Sequence, residues 1–250
     1  MARYFMRLAF RGAPFHGWQI QPSAVSVQSV LEAALSTLLR RPTAIVGAGR
    51  TDAGVNAAGM VAHFDADPEA VDVERLPRAI NSIVGPDIAV ERVWQVHDDA
   101  HARFDAIERT YHYYSHRGRN PFVAPLSWQE PLRLDFDAMN EAARLLVGTQ
   151  DFTSFAKLHS DAKTNICTVT RAGWLPLSTD LNPDGHVFVI TADRFLRNMV
   201  RAVVGTLVEV GRGKMTVEGF GDVMAMQDRC AAGTSMPPQA LFLWDVKYPY

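Results

Sequence analysis

The sequence predicts an α+β fold made of two related halves, each running β-α-β-β-α-β, the ferredoxin-like split unit. Three observations predict it. Alternating apolar and polar segments of strand length recur along the 250 residues. Between them lie segments with apolar residues three and four apart. The succession runs once to about Val96, breaks where HDDAHARF interrupts it at 97–104, and runs again. The halves are therefore set at 1–103 and 104–250. Side by side, two such sheets would form one continuous, mostly antiparallel platform with helices behind it.

In the first half, residues 3–10 alternate Tyr4, Met6 and Leu8 against Phe5, Arg7 and Ala9, which reads as a strand. RGAPFHGWQIQPSAVS follows as a long loop. Its Phe15, His16, Trp18 and Gln19 either stack on and hydrogen-bond a nucleobase or plug the core, and the spacing favours the plug. Ser26 then caps a helix to about Arg40, with Val27, Val30, Leu31, Ala34, Leu35 and Leu38 on one face. Strands at about 43–47 and 59–65 flank a tight polar loop. A helix at about 73–83 turns Leu76, Ile80 and Ile83 inward, and a strand at Ile88–Val96 closes the half.

The second half opens with a long strand at 105–116 containing Arg109, Tyr111, Tyr113 and Ser115. A Pro-rich loop spans 120–131, and Asp135 or Asp137 caps a helix to about Val147. Strands at 164–177 and 187–192 enclose a turn at 180–185 built from Asn182, Pro183, Asp184 and Gly185. The spacing predicts a helix over 194–211, where Arg197 and Arg201 share a face at i, i+4. A short helix at about 217–226 and a last strand at 240–248 end the chain.

Composition narrows the class. The chain is 48% hydrophobic and 21% charged, an ordinary globular balance. No apolar run approaches a membrane span, and the arginine-spaced N-terminus reads as a strand and not as a signal peptide. Cys167 and Cys230 stand far apart, so free thiols and a cytosolic setting are expected. The histidines show no metal-ligand spacing, and no metal site is expected. A net charge of −2 is not the usual footprint of a nucleic-acid binder. Yet 21 of the 25 basic residues are arginine, the side chain that grips phosphate bidentately, and they cluster. A face can be basic while the whole is neutral.

The polar loop at 47–54 concentrates the chemistry. Gly49, Arg50, Thr51, Asp52 and Gly54 fall within six residues between two apolar segments. The two glycines are expected to take positive φ on either side. A cation close to a carboxylate favours the charged form, and a charged, fixed aspartate can serve as nucleophile or base. The alternative is that Asp52 only builds its turn. No Gly-Lys-Ser/Thr follows, and a strand rather than a helix comes next, so neither phosphate-binding glycine motif applies. Tyr111 and Arg201 are the other polar residues such an architecture could bring to one cleft. Each has a plain structural alternative, as a sheet tyrosine and a solvated helix arginine.

GRTDAGV, then ERTY, then FLRNMVRAVVGTLVEVG and a terminal ALFLWDVKYP, together resemble the TruA family of tRNA pseudouridine synthases. FRGAPFHGWQ, SVQSVLEAAL, NSIVGPDIAV, HARFDA and GTQDFTSF look like the family's segments in the same order, so the likeness covers nearly the whole chain. The resemblance implies the pseudouridine synthase fold. It implies isomerisation of uridine in the anticodon stem-loop of tRNA, at positions 38–40, without cofactor or metal, by a cytoplasmic homodimer. By the same resemblance Asp52 is the catalytic nucleophile and Arg201 its ion-pair partner. Arg50 assists base flipping and Tyr111 packs on the flipped base. His101, Ala102, Arg103 and Phe104 contact RNA, and Leu243, or else Leu241, lines the pocket. The chain departs from the family pattern at Asn56, Gln150 and Ala240, where histidine, histidine and glycine are usual, which puts fine loop geometry in question. Two readings compete. One is a non-catalytic RNA-binding protein on the same fold. The other is a hydrolase cutting the N-glycosidic bond with Asp52 and water.

Overall fold

The computed structural model describes residues 1–130, 133–157 and 164–250. The fold is α+β, with mostly antiparallel sheet and helices, as the sequence predicts. The chain divides into two compact units, Met1–Ile107 with Leu243–Tyr250, and Glu108–Phe242.

The first unit contains β1 (Ala2–Phe10), α1 (Val27–Leu38), β2 (Val46–Gly47), β3 (Asn56–Ala66), α2 (Leu76–Asn81) and β4 (Ile88–Val96). β1 lies between β3 and β4 and runs antiparallel to both, while β2 pairs with β3. Tyr4, Met6 and Leu8 are buried on one face, where Tyr4 stacks on its cross-strand partner Phe64 at 5.6 Å. The alternation inverts for Phe5, which is also buried, against Trp94 at 5.8 Å and Tyr248 at 5.0 Å. Both faces of β1 are thus packed. Ser26 caps α1 with a reciprocal pair: its hydroxyl accepts from Ser29 N, and Ser29 Oγ accepts from Ser26 N, both at 3.1 Å. That satisfies two of the donors a helix start leaves open.

The second unit contains β5 (Glu108–Arg117), β6 (Trp128–Glu130), α3 (Phe136–Arg144), β7 (Gly148–Asp151), β8 (Ile166–Thr179), β9 (Asn182–Ala192), α4 (Met199–Gly211) and α5 (Val217–Met226). Its strands lie in the order β5-β9-β8-β7, all antiparallel, with β6 parallel to β5. α3 packs on β8, α4 and α5. Asn140 ties α3 to β8 by accepting from Trp174 N at 2.6 Å and donating to Trp174 O at 3.1 Å. The last strand, β10 (Leu241–Lys247), starts in this unit, and from Leu243 its residues belong to the first.

The structure corrects several boundaries. Residues 105–107 are not strand, because Asp105 accepts the His101 N–H at 2.6 Å and closes a turn. The 180–185 turn shrinks to Asp180 and Leu181, since Thr179 pairs with Asn182 across them and the strand resumes at once. The helix expected from Arg194 begins at Met199. Asn198, at φ 67°, is in the left-handed region, which a helix interior excludes. Gly49 has ordinary φ, and only Gly54 of the two loop glycines is left-handed, at +77°. Pro131, the end of the loop read at 120–131, lies outside the described residues. No helix among the described residues is long and apolar enough to cross a membrane.

Candidate active site

The Asp52 loop closes as a four-residue turn on its main chain. Val55 N donates to Asp52 O at 3.1 Å, and Gly54 supplies the positive φ that a type II turn needs at its third position. The 12–18 loop lies directly against this turn. Trp18 N donates to Thr51 O at 3.2 Å, and Gly12 N donates to Asn56 Oδ1 at 2.8 Å. Two glycines permit the approach. A Cβ on Gly17 would stand 2.5 Å from Thr51 O, and one on Gly12 would overlap the Val55 carbonyl. Phe15 and Trp18 are buried, Trp18 against Gly47 and Phe10, so the plug reading of these aromatics holds. Asp52 is half-buried and Arg50 exposed on the loop so braced.

The segment His101–Phe104, in the same unit, is a turn held by histidine nitrogens. His101 Nδ1 accepts from Arg103 N at 3.1 Å and Phe104 N at 3.2 Å. His63, buried on β3, accepts from Ala102 N through Nδ1 at 3.1 Å. Tyr248 donates to Ala102 O at 2.6 Å and Tyr250 to Asp105 at 3.0 Å. Burial, then the Arg3 guanidinium and His101, push the His63 pKa down to about 4, which keeps it neutral and able to accept. Burial likewise lowers that of His101. The turn presents Phe104, 75% exposed, with the Arg103 guanidinium 5.8 Å from its ring centre. An exposed aromatic beside an arginine suits stacking on a base and gripping phosphate.

In the second unit, Tyr111 is half-buried on β5, its ring edge-on to Phe195 at 4.9 Å. Arg201 lies in the first turn of α4. Its Nε donates to Met236 O at 2.6 Å and its carbonyl accepts from Met236 N at 3.1 Å. The expected i, i+4 face with Arg197 does not form, because Arg197 precedes the helix. Tyr113, on the same face of β5 as Tyr111, is wholly buried, and its hydroxyl has no hydrogen-bond partner among the described residues. Leu243 and Leu241 are both buried on β10.

Other candidates resolve as structural. Arg3, Arg7 and Arg11 are engaged by Asp65, by Glu91 and Asp245, and by Asp87, so this cluster is neutralised within its own unit. Ser115, His186 and Glu130 form a serine–histidine–carboxylate group, but Ser115 is fully buried and donates straight to Glu130 at 2.7 Å. No cluster among the described residues is placed to hold a metal. The departures find local roles: Asn56 accepts the Gly12 N–H, and Gln150 donates to Leu145 O and Val147 O at the end of α3.

A family model described as tRNA pseudouridine synthase matches residues 142–249. A tRNA pseudouridine synthase A of Bacteroides thetaiotaomicron is 55% identical over 249 residues, covering 100% of this chain and 91% of the relative. The chain belongs to the tRNA pseudouridine synthase A family. A tRNA pseudouridine synthase A of Parabacteroides distasonis is 53% identical, over 100% of this chain and 97% of that one. The one in Bacillus subtilis is 37% identical, over 96% and 97%. Sequence reading did not find two supports of the candidate site residues: His63, which holds the 101–104 turn, and the segment around Met236, which holds Arg201. A histidine within the apolar run of β3 was the available signal for the first.

Proposed function

We propose that the protein isomerises uridine to pseudouridine in the anticodon stem-loop of tRNA, at positions 38–40, with Asp52 as nucleophile. The whole-length likeness to tRNA pseudouridine synthase A is the observation that carries the reading. The braced loop supports it, since a reacting carboxylate gains from being fixed before substrate arrives.

The reaction breaks the C1′–N1 bond, turns the uracil and joins C1′ to C5; the C5 hydrogen leaves as a proton. A stacked base cannot turn, so it must first leave the stem, at a cost of a few kcal/mol. Stacking on Tyr111 offsets about 1–3 kcal/mol of that. Arg50 assists extrusion, and His101, Ala102, Arg103 and Phe104 hold the surrounding RNA. Arg201 is the aspartate's counter-ion, and Leu243 borders the uracil. The sequence chemistry leaves attack on the sugar, attack on the base and a glycal route all open to an ionised aspartate. No cofactor or metal enters this reading. A cytoplasmic homodimer follows from the same resemblance, and light scattering of the purified protein tests the dimer.

The deciding experiment is tritium release from tRNA labelled at uridine C5, with wild type and Asp52→Ala in parallel. Release by wild type alone establishes the isomerisation and the aspartate together. Free uracil would indicate the hydrolase, and tRNA binding without release the non-catalytic binder.

A further inference from the structure

The segment after α5 lies flat against α4, and its bonds converge on the start of that helix. Arg229 donates from one Nη to Gly233 O at 3.1 Å and Ala232 O at 3.4 Å, and from the other to Ser235 Oγ at 2.9 Å. Ser235 Oγ also receives Asn198 Nδ2 at 2.7 Å, and Asn198 is the left-handed residue that starts α4. The next residue, Met236, exchanges two bonds with Arg201, one to its main chain and one to its guanidinium Nε. Further along, Gly233 N donates to Thr206 Oγ1 at 2.9 Å. Gly205 has no room for a side chain, since a Cβ would run into the Thr234 carbonyl. At its other end the segment is anchored by Asp228, whose N–H donates to Ser154 Oγ at 3.0 Å.

We propose that Arg229 is a positioning residue: through Ser235 and Met236 it fixes the guanidinium of Arg201 at the start of α4. The proposal rests on the assignment of Arg201 to the reaction. The chemistry fits an arginine and not another cation. Three acceptors surround one group, and a planar fork with five N–H donors serves them together, whereas an ammonium is a compact point charge. Ser235 joins the fork to Asn198, so the fork also holds the residue whose strained conformation sets where α4 begins. Fixing the carbonyl that Nε grips limits how far the guanidinium can move, and a misplacement of about 1 Å at a reacting centre can cost about a hundredfold in rate.

The test uses the full-length protein and C5-tritiated tRNA. Single-turnover release is measured at saturating enzyme, with tRNA affinity by filter binding and thermal unfolding alongside. Arg229→Gln should lower the single-turnover rate tenfold or more, with tRNA affinity within about threefold and the unfolding midpoint well above assay temperature. Arg229→Lys should recover part of the rate. Combined with Arg201→Lys, Arg229→Gln should add little further loss, because both act through one group. Weakened tRNA binding with an unchanged saturated rate would overturn the proposal in favour of a direct RNA contact. A wild-type rate, or full additivity with Arg201→Lys, would also overturn it. Gly205→Ala, which pushes the same segment off α4, is the independent variant and should reproduce the loss of rate without loss of binding. Should Arg201→Lys alone keep the wild-type rate, the assignment of Arg201 itself fails, and that single variant reports this apart from any result at Arg229.

Discussion

Gly17→Ala tests whether the Asp52 loop works because the 12–18 loop braces it. Gly17 has φ +86°, a conformation costing about 1–2 kcal/mol for an L-residue. Its new Cβ would lie 2.5 Å from Thr51 O, about 0.9 Å short of the 3.4 Å of ordinary contact, and 3.2 Å from the Asp52 carbonyl carbon. Those neighbours are main chain and cannot swing aside. Either loop must retreat, stretching the Trp18 to Thr51 hydrogen bond, worth about 1 kcal/mol. Together the variant should lose about 2–3 kcal/mol of stability. A shift approaching 1 Å at a nucleophile costs about a hundredfold in turnover, while tRNA affinity should change little. Urea unfolding reads the first effect and tritium release at saturating tRNA the second. Gly49→Ala is the matched control, because open space surrounds its Cβ and its φ is ordinary. Its stability should stay within about 0.5 kcal/mol of wild type. A Gly17→Ala protein with wild-type turnover and stability would refute the bracing argument.

His63 should make stability depend on pH. Its pKa is depressed to about 4 in the fold against an ordinary 6.5, so the unfolded chain binds the proton more readily. The contribution, about 3 kcal/mol, is complete above pH 6.5 and is lost as pH falls toward 4. Urea unfolding between pH 7 and 4.5 should show a shallower fall for His63→Gln than for wild type; identical slopes would contradict this. Asn56→Ala leaves the buried Gly12 N–H without its acceptor and should cost about 1–3 kcal/mol by the same measurement. A loss below about 0.5 kcal/mol would mean the N–H finds another partner. Tyr113→Phe removes a buried hydroxyl with no hydrogen-bond partner among the described residues and should be neutral or slightly stabilising. Destabilisation by more than about 1 kcal/mol would show that the hydroxyl is bonded in solution.

Where local signals agreed with the fold, the sequence was legible. The strand at Ile88–Val96 matched to the residue, the helix expected near 217–226 spans Val217–Met226, Ser26 was visible as a cap, and of the two cap candidates Asp135 and Asp137 the structure uses Asp135. Phe195, Met199 and Val203 have helical spacing, so the pattern ran through 194–198; nothing in it announced that Asn198 turns left-handed and receives its support from Ser235, 37 residues away. Asn182 and Gly185 look like turn residues, yet pairing of β8 with β9 carries them into a strand. Asp52 stood out because a carboxylate among glycines is conspicuous. Its bracing did not, because Gly12 and Gly17 act through contacts some 35–45 positions distant, for which local propensity has no signal.

The return of Leu243–Tyr250 to the first unit has a consequence for how the protein is made. Phe5 and the 101–105 turn are completed by Tyr248 and Tyr250, which a ribosome delivers only after the whole intervening unit. At about 5–20 residues per second, the N-terminal segment waits on the order of ten seconds with that face of β1 covered only in part, by His63 and Trp94. During that interval it offers nascent-chain chaperones an apolar strand. A message truncated just before codon 243 would yield a chain able to build its second unit but not to finish its first.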